Sequence, residues 1–196
     1  MFMGNASKLF QVMVMAASLS MVATRVLAVD LIDGIQAYRE GKYVFAFDIF
    51  MERALNGDAT AQFWVGDMYA NGQGIKQDLK RAFDWYMKAA SHDEPRAQFA
   101  VAQAYEQGRG VDQNGKRASI WYLTSAEHGN HRAAYAIGLR YAKGTDMPVD
   151  LVQAHKWLTR AGDIASGSKA WVEQKMSPFQ LDRVREMEKE WLERYQ

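Results

Sequence analysis

The chain contains no cysteine. Disulfides, thiol catalysis, thiol redox chemistry and cysteine-ligated metals are therefore closed to it. Proline is scarce, with three residues in 196, which leaves long stretches free of the strongest helix breaker. A surplus of charge is missing as well: 24 Lys and Arg stand against 23 Asp and Glu. That balance leaves no electrostatic footprint for nucleic acid or for an anionic membrane. The apolar stretch at residues 9–23, "LFQVMVMAASLSMVA", is too short and too serine-rich to make a comfortable membrane span.

The first 28 residues also lack something the rest has in plenty: they hold Lys8 and Arg25 and no acid. A basic start, a short apolar run and the small residues Val26 and Ala28 at its end form the pattern of a secretory signal peptide; the acid-poor, serine-containing composition also fits an uncleaved anchor or a mitochondrial presequence. Cleavage near Ala28 predicts a mature chain in the periplasm or outside the cell. No cysteine follows the run, so lipid attachment there is excluded. Removing Lys8 and Arg25 leaves 22 basic residues against 23 acidic ones, a mature charge of −1. With 48% hydrophobic and 12% aromatic residues, the remainder has ample material for a core.

What the chain does have is repetition. "YANGQGIKQDLKRAFDWYMKAA" at 69–90 returns 36 residues later as "YEQGRGVDQNGKRASIWYLTSA". Ala61, Gln62 and Phe63 recur as Ala97, Gln98 and Phe99, Gly72 and Gly74 as Gly108 and Gly110, and Trp85 and Tyr86 as Trp121 and Tyr122. A weaker third copy runs through Ala133, Tyr135, Tyr141, Gly144, Ala154 and Trp157, with Asp146 where the second turn glycine stood. Each unit reads as two helices. Ala61, Val65 and Tyr69 make one buried stripe at spacing i, i+4, i+8, and Ala82, Trp85, Tyr86 and Ala89 make another. Gly-x-Gly stops the first helix, and Asp78 can cap the second. One such unit cannot bury its stripes alone, so units must stack.

This pattern resembles the Sel1-like repeat, a relative of the tetratricopeptide repeat: A-x-x-x-L-G-x-x-Y-x-x-G-x-G-V, then K-A-x-x-W-Y-x-K-A-A. The resemblance covers about half of the chain and implies an all-α solenoid, a right-handed superhelix of helix pairs. Departures are Val65 for Leu, and Asp93 at the place of the helix-ending Gly57 and Gly129. The implied division is a signal peptide at 1–28, a tetratricopeptide-like capping pair at 29–57, repeats at 58–92, 93–128 and 129–163, and capping helices at 164–196. In the N-terminal cap, Gly34, Ala37 and Tyr38 supply a small-plus-aromatic stripe. At the other end Ser177 and Pro178 start a last helix whose apolar side holds Leu181, Val184, Met187, Trp191 and Leu192.

Chemistry is hard to find. The Gly-x-Gly turns follow helices and lack the Lys-Ser or Lys-Thr of a phosphate loop, so they read as helix stops. His92, His128 and His131 read as turn residues, and His155 stands alone inside a helix. Acids read as lying on helix exteriors, Asp84 with Lys88 as an i, i+4 pair, and no nucleophile signature occurs. No cofactor, no metal and no enzymatic activity are expected.

The expected function is binding on the concave face, which first helices line. At 100° per residue the direction opposite the buried stripe holds Thr60, Phe63, Trp64, Asp67 and Asn71. One period on it holds Arg96, Phe99, Gln103 and Gln107, with Ala100. The third copy offers Arg132, Tyr135, Leu139 and Lys143, with Ala136. Phe63, Phe99 and Tyr135 fit either partner contact or packing between repeats. Trp64, whose counterparts are Ala100 and Ala136, fits either a binding hot spot or packing on the N-terminal cap. Arg96, Arg132 and Lys143 suggest an acidic partner segment. The family resemblance implies an adaptor for a protein or peptide, in bacterial envelope assembly, signalling or regulation; the N-terminal segment adds export, and a monomer is expected. The alternatives are a secreted protein that binds or hydrolyses cell-wall compounds, whose relatives carry paired cysteines absent here, and a mitochondrial assembly factor.

Overall fold

A computed structural model describes residues 30–195, apart from the side chains of 191, 192, 194 and 195. The signal-peptide segment and the placement of the Trp191 and Leu192 side chains lie outside the described residues. Ten α-helices and one short 3-10 segment make up the described chain. They are α1 (Leu31–Arg39), α2 (Tyr43–Leu55), α3 (Ala59–Asn71), α4 (Leu79–Ala90), α5 (Pro95–Gln107), α6 (Gly115–Glu127), α7 (His131–Lys143) and α8 (Leu151–Ala161). The 3-10 segment Gly162–Ala165, then α9 (Ser166–Glu173) and α10 (Pro178–Tyr195) complete it.

The helices pair as the repeat demands. α3 packs on α4, α5 on α6 and α7 on α8, and each pair leans on the next through α2–α3, α4–α5, α6–α7 and α8–α9. The result is an α-solenoid. Each first helix of a repeat ends at a glycine in the left-handed region, Gly72, Gly108 or Gly144. Each second helix begins at a side-chain cap: Asp78 accepts from the Arg81 N–H, Asn114 from Arg117 and Asp150 from Gln153. Such a cap contributes about 1 kcal/mol. Asp93 adopts φ 57°, the conformation that its glycine counterparts would take. Ser177 and Gln180 form a reciprocal cap at the start of α10.

The core is one continuous layer between first and second helices. It alternates small residues with large ones: Ala61, Ala97 and Ala133 are fully buried, as are Phe50, Met68 and Ile137. Gly66 shows why the alternation matters. A Cβ there would meet the Tyr86 ring at 2.7 Å, so the absent side chain lets α3 and α4 close on each other. Burying a ring such as Phe50 contributes roughly 2–3 kcal/mol. The repeated glutamine also has a fixed task. Gln62 donates to the Ala54 carbonyl at 3.1 Å and Gln98 to Ala90 at 3.3 Å, each tying a first helix to the end of the preceding second helix.

Candidate binding face of the first helices

The residues of α3, α5 and α7 singled out by sequence have different surroundings along the stack, and several of them pack on second helices rather than facing away from them. At the N-terminal end Trp64 packs on the cap. Its ring stacks on Phe50, with centroids 5.5 Å apart and planes 9° apart, and lies 4.9 Å from Tyr38. Its indole N–H is buried without a partner. Between the two roles open for it, packing is the one the structure displays. Phe63 lies against Trp64 and Tyr86, and Phe99 against Tyr122.

Arg96 lies over the Phe63 ring at 4.7 Å and donates to Glu94 Oε1 at 2.8 Å. Thr60 donates to the other carboxylate oxygen of Glu94 at 3.1 Å. Burial pushes the Glu94 carboxyl up, but the hydrogen bonds and charge of Arg96, with the Thr60 bond, outweigh it and hold the group below its ordinary range. Thus Arg96 is already neutralised, and Phe63 is covered.

Asp67 is not an exterior acid. It accepts from the Tyr38 hydroxyl at 3.3 Å, and Asn71 and Tyr86 bond to it as well. Burial nevertheless holds its carboxyl above the ordinary aspartate range. The same burial, followed by the charge of Asp67, pushes the Tyr86 hydroxyl up, with Arg109 pulling the other way. The reading that the acids lie on helix exteriors fails here. The sequence signal was available: Asp67 directly follows the buried Gly66 and lies about one turn before the buried Ala70, where neighbouring helices close in.

Further along, the face opens. Position 94 becomes Asn130 one period on, so Arg132 has no counterpart of Glu94 beside it. Asn130 instead accepts from the Arg132 and Ala133 amides as a helix cap. Gln103 is half-buried and Gln107 exposed. At the end of the face Tyr135, Leu139 and Lys143 on α7 meet Gly167, Ser168 and Trp171 on α9 around a pocket of ≈ 250 Å³. The Tyr135 and Ser168 hydroxyls lie 3.4 Å apart. Trp171 remains 40% exposed, which is high for a residue of its size.

Three features escaped sequence reasoning. Arg140 is buried and bridges Glu106 and Asp146, with a further bond to the Ser119 hydroxyl at 3.0 Å. Tyr122 donates to Glu106 at 2.7 Å, and its own hydroxyl is pushed up by burial first and by Glu106 second. His155, which seemed to carry no signal, is buried with Nε2 2.8 Å from Glu173 and Nδ1 3.8 Å from Glu188, tying α8 to α9 and α10. His128 and His131 are not merely solvated. Each bonds a neighbouring helix, His128 through the Gln98 side chain and His131 through the Arg160 carbonyl, both at 2.8 Å. The expected Asp84–Lys88 pair is replaced by Lys88 over the Trp85 ring at 4.0 Å. Among the described residues no cluster of His, Asp and Glu is placed to hold a metal ion, and no helix is long and apolar enough to cross a membrane.

Comparisons with known proteins agree with this architecture. The family model described as Sel1 repeat matches residues 59–94, 95–130 and 131–164, more than half of the chain. No curated protein matches it. Among solved structures, a Sel1 repeat protein from Oxalobacter formigenes is similar at 29% identity and TM-score 0.68, over 71% of this chain and 59% of its own. A second is c5321, described as a protective antigen present in uropathogenic Escherichia coli strains and displaying an SLR fold. It is similar at 27% identity and TM-score 0.62, over 67% of this chain and 29% of its own. The chain therefore matches only part of the length of either protein.

Proposed function

The chain belongs to the Sel1 repeat family, whose members are generally protein-interaction scaffolds, and from that premise we propose that it is an exported, non-enzymatic adaptor holding a protein or peptide on its first-helix face. The observation that carries the reading is the gradient along that face. Its N-terminal half is internally satisfied, with Arg96 on Glu94 and Phe63, and Trp64 on Phe50. Its C-terminal half presents Arg132 and Lys143, both exposed, beside the half-buried Tyr135 and Leu139. An exposed cation next to ring and aliphatic surface is the composition of a recognition site for a partner with complementary charge. Export draws on the segment before Ala28, and a solved relative described as a protective antigen supports it. A role in envelope assembly, signalling or regulation follows from that location.

The test is a photocrosslinking residue at Gln107 in the native host, with position 84 on the second-helix side as control. A discrete partner captured at 107 and absent at 84 is the expected result, together with a mature N-terminus near Val29. Equal capture at both positions would remove the first-helix face as the binding surface. An intact N-terminus on all of the protein would remove export.

A further inference from the structure

We propose that the pocket between α7 and α9 is an anchor site for one bulky apolar side chain of an extended peptide, with an acidic residue of that peptide next to it. The inference rests on the adaptor reading and names the chemistry of its partner.

Size argues for a side chain. Cavities that enclose whole small molecules run from about 300 to 1,000 Å³, and this one measures ≈ 250 Å³. Its walls are the Tyr135 and Trp171 rings and the Leu139 side chain, with Gly167 leaving space open at the side of α9. Rings and an aliphatic side chain around a small concavity make the type of pocket that takes a binding hot spot.

Charge argues for the acid. Lys143 is the one charged residue among those lining the pocket, it is exposed, and none of the ion pairs described includes it. Lys175 sits over the Trp171 ring at 4.8 Å, so a second cation lies close to the pocket. Arg132 lies on α7 about one turn before Tyr135, exposed and without the carboxylate that Arg96 enjoys one period earlier. A carboxylate laid beside the anchor gains from these charges, and a cation there is repelled.

The geometry allows a clean test. Gly167 has a helical backbone and no heavy atom within 4 Å of a Cβ placed on it, so Gly167→Trp can plug the pocket without strain. A phage-displayed random dodecapeptide library is panned on the full mature protein, and the recovered peptides are titrated by fluorescence anisotropy. The expected consensus is Phe, Trp or Leu beside Asp or Glu. Binding falls at least about tenfold with Gly167→Trp and with Trp171→Ala. Lys143→Glu weakens these peptides and improves versions in which the acid is replaced by Lys. The paired pocket variants guard against one of them failing to fold, which circular dichroism reports. Peptides that bind both variants as they bind wild type, yet are lost with Gln103→Arg, would overturn the anchor site and leave the first-helix face as the binding surface. Peptides indifferent to all of these substitutions, or no recovered peptide, would overturn both.

Discussion

The junctions between successive helix pairs use one architecture and two chemistries. Where the N-terminal cap meets the first repeat, Phe47 meets Tyr69 edge-on at 5.5 Å, and Gly74 lies against the Tyr43 backbone. One period on, Phe83 meets Tyr105 at 5.4 Å, and Gly110 lies against the Leu79 carbonyl. The next junction keeps the same places and fills them differently. Ser119 stands where Phe47 and Phe83 stood, and Arg140 bonds to it while bridging Glu106 and Asp146. The glycine has crossed the interface: Gly115 takes the place of Tyr43 and Leu79, and Asp146 takes the place of Gly74 and Gly110. Asp146 accepts the left-handed φ of 59°, and its carboxylate lies where a Cβ on Gly115 would be. The third repeat looks degenerate in sequence because its junction is a paired set of exchanges, of which Asp146 is the conspicuous half.

That pairing predicts the largest effect. Gly110→Asp places a side chain on the Leu79 backbone in a conformation that side chains rarely adopt. A loss of more than about 3 kcal/mol in denaturant unfolding is expected. Adding Leu79→Gly should recover a substantial part of it, despite about 1 kcal/mol of lost helix propensity, because it recreates the Asp146–Gly115 arrangement. A double variant no better than the single one would show that the exchange is not compensatory.

Next in size is Arg140→Ala, the corresponding break in the polar junction. It leaves Glu106 and Asp146 facing each other across a vacated site. Removing one partner of a buried pair costs about 3–5 kcal/mol, and because both carboxylates are over a third exposed the lower end, about 3 kcal/mol, is expected. The matching break at the apolar end is Trp64→Ala. With the ring half-buried on Phe50 and Tyr38, about 2–3 kcal/mol should be lost, while Trp64→Phe should cost less than about 1 kcal/mol. A Trp64→Ala protein of unchanged stability that had lost only partner binding would return Trp64 to the recognition surface.

These residues also mark where sequence reasoning stopped. The period of 36, the left-handed glycines and the caps are local properties, and a single helix pair contains all the information they need. Hence the glycine helix stops, the turn at Asp93 and the caps at Asp78 and Ser177 were legible. Burial of a polar residue is decided by a neighbouring pair, at a distance that spacing along one helix does not encode. Arg140 reads as an exposed residue of α7 until Ser119 and Glu106 arrive from α6 and α5. His155 reads as isolated until α9 and α10 bring Glu173 and Glu188. The direction opposite the buried stripe picked out these first-helix residues, but it could not separate the packed Phe63 and Trp64 and the paired Arg96 from the open ones. Trp64 is packed by Phe50 and Tyr38 of the cap, and the pairing of Arg96 turns on Glu94, which becomes Asn130 one period on.

The smallest effect is the most diagnostic for the covered end of that face. Asp67 is held above its ordinary range chiefly by burial, so folding favours its protonated form. Above the raised value the carboxylate is charged in both states and burial opposes folding. As pH falls through the raised value, the folded state takes up a proton that the unfolded chain, with its aspartate near 3.9, does not yet bind, and the opposition is relieved. Asp67→Asn removes the charge and keeps an acceptor for Tyr38. It should therefore match or exceed wild-type stability at pH 7, by less than about 1 kcal/mol, and the advantage should shrink as pH falls toward 4. An advantage that grew on acidification would mean that the hydrogen bonds from Tyr38, Asn71 and Tyr86 outweigh burial. Asp67 would then be a stabilised anion, and the N-terminal half of the face would carry a negative pole opposite the cations at its other end.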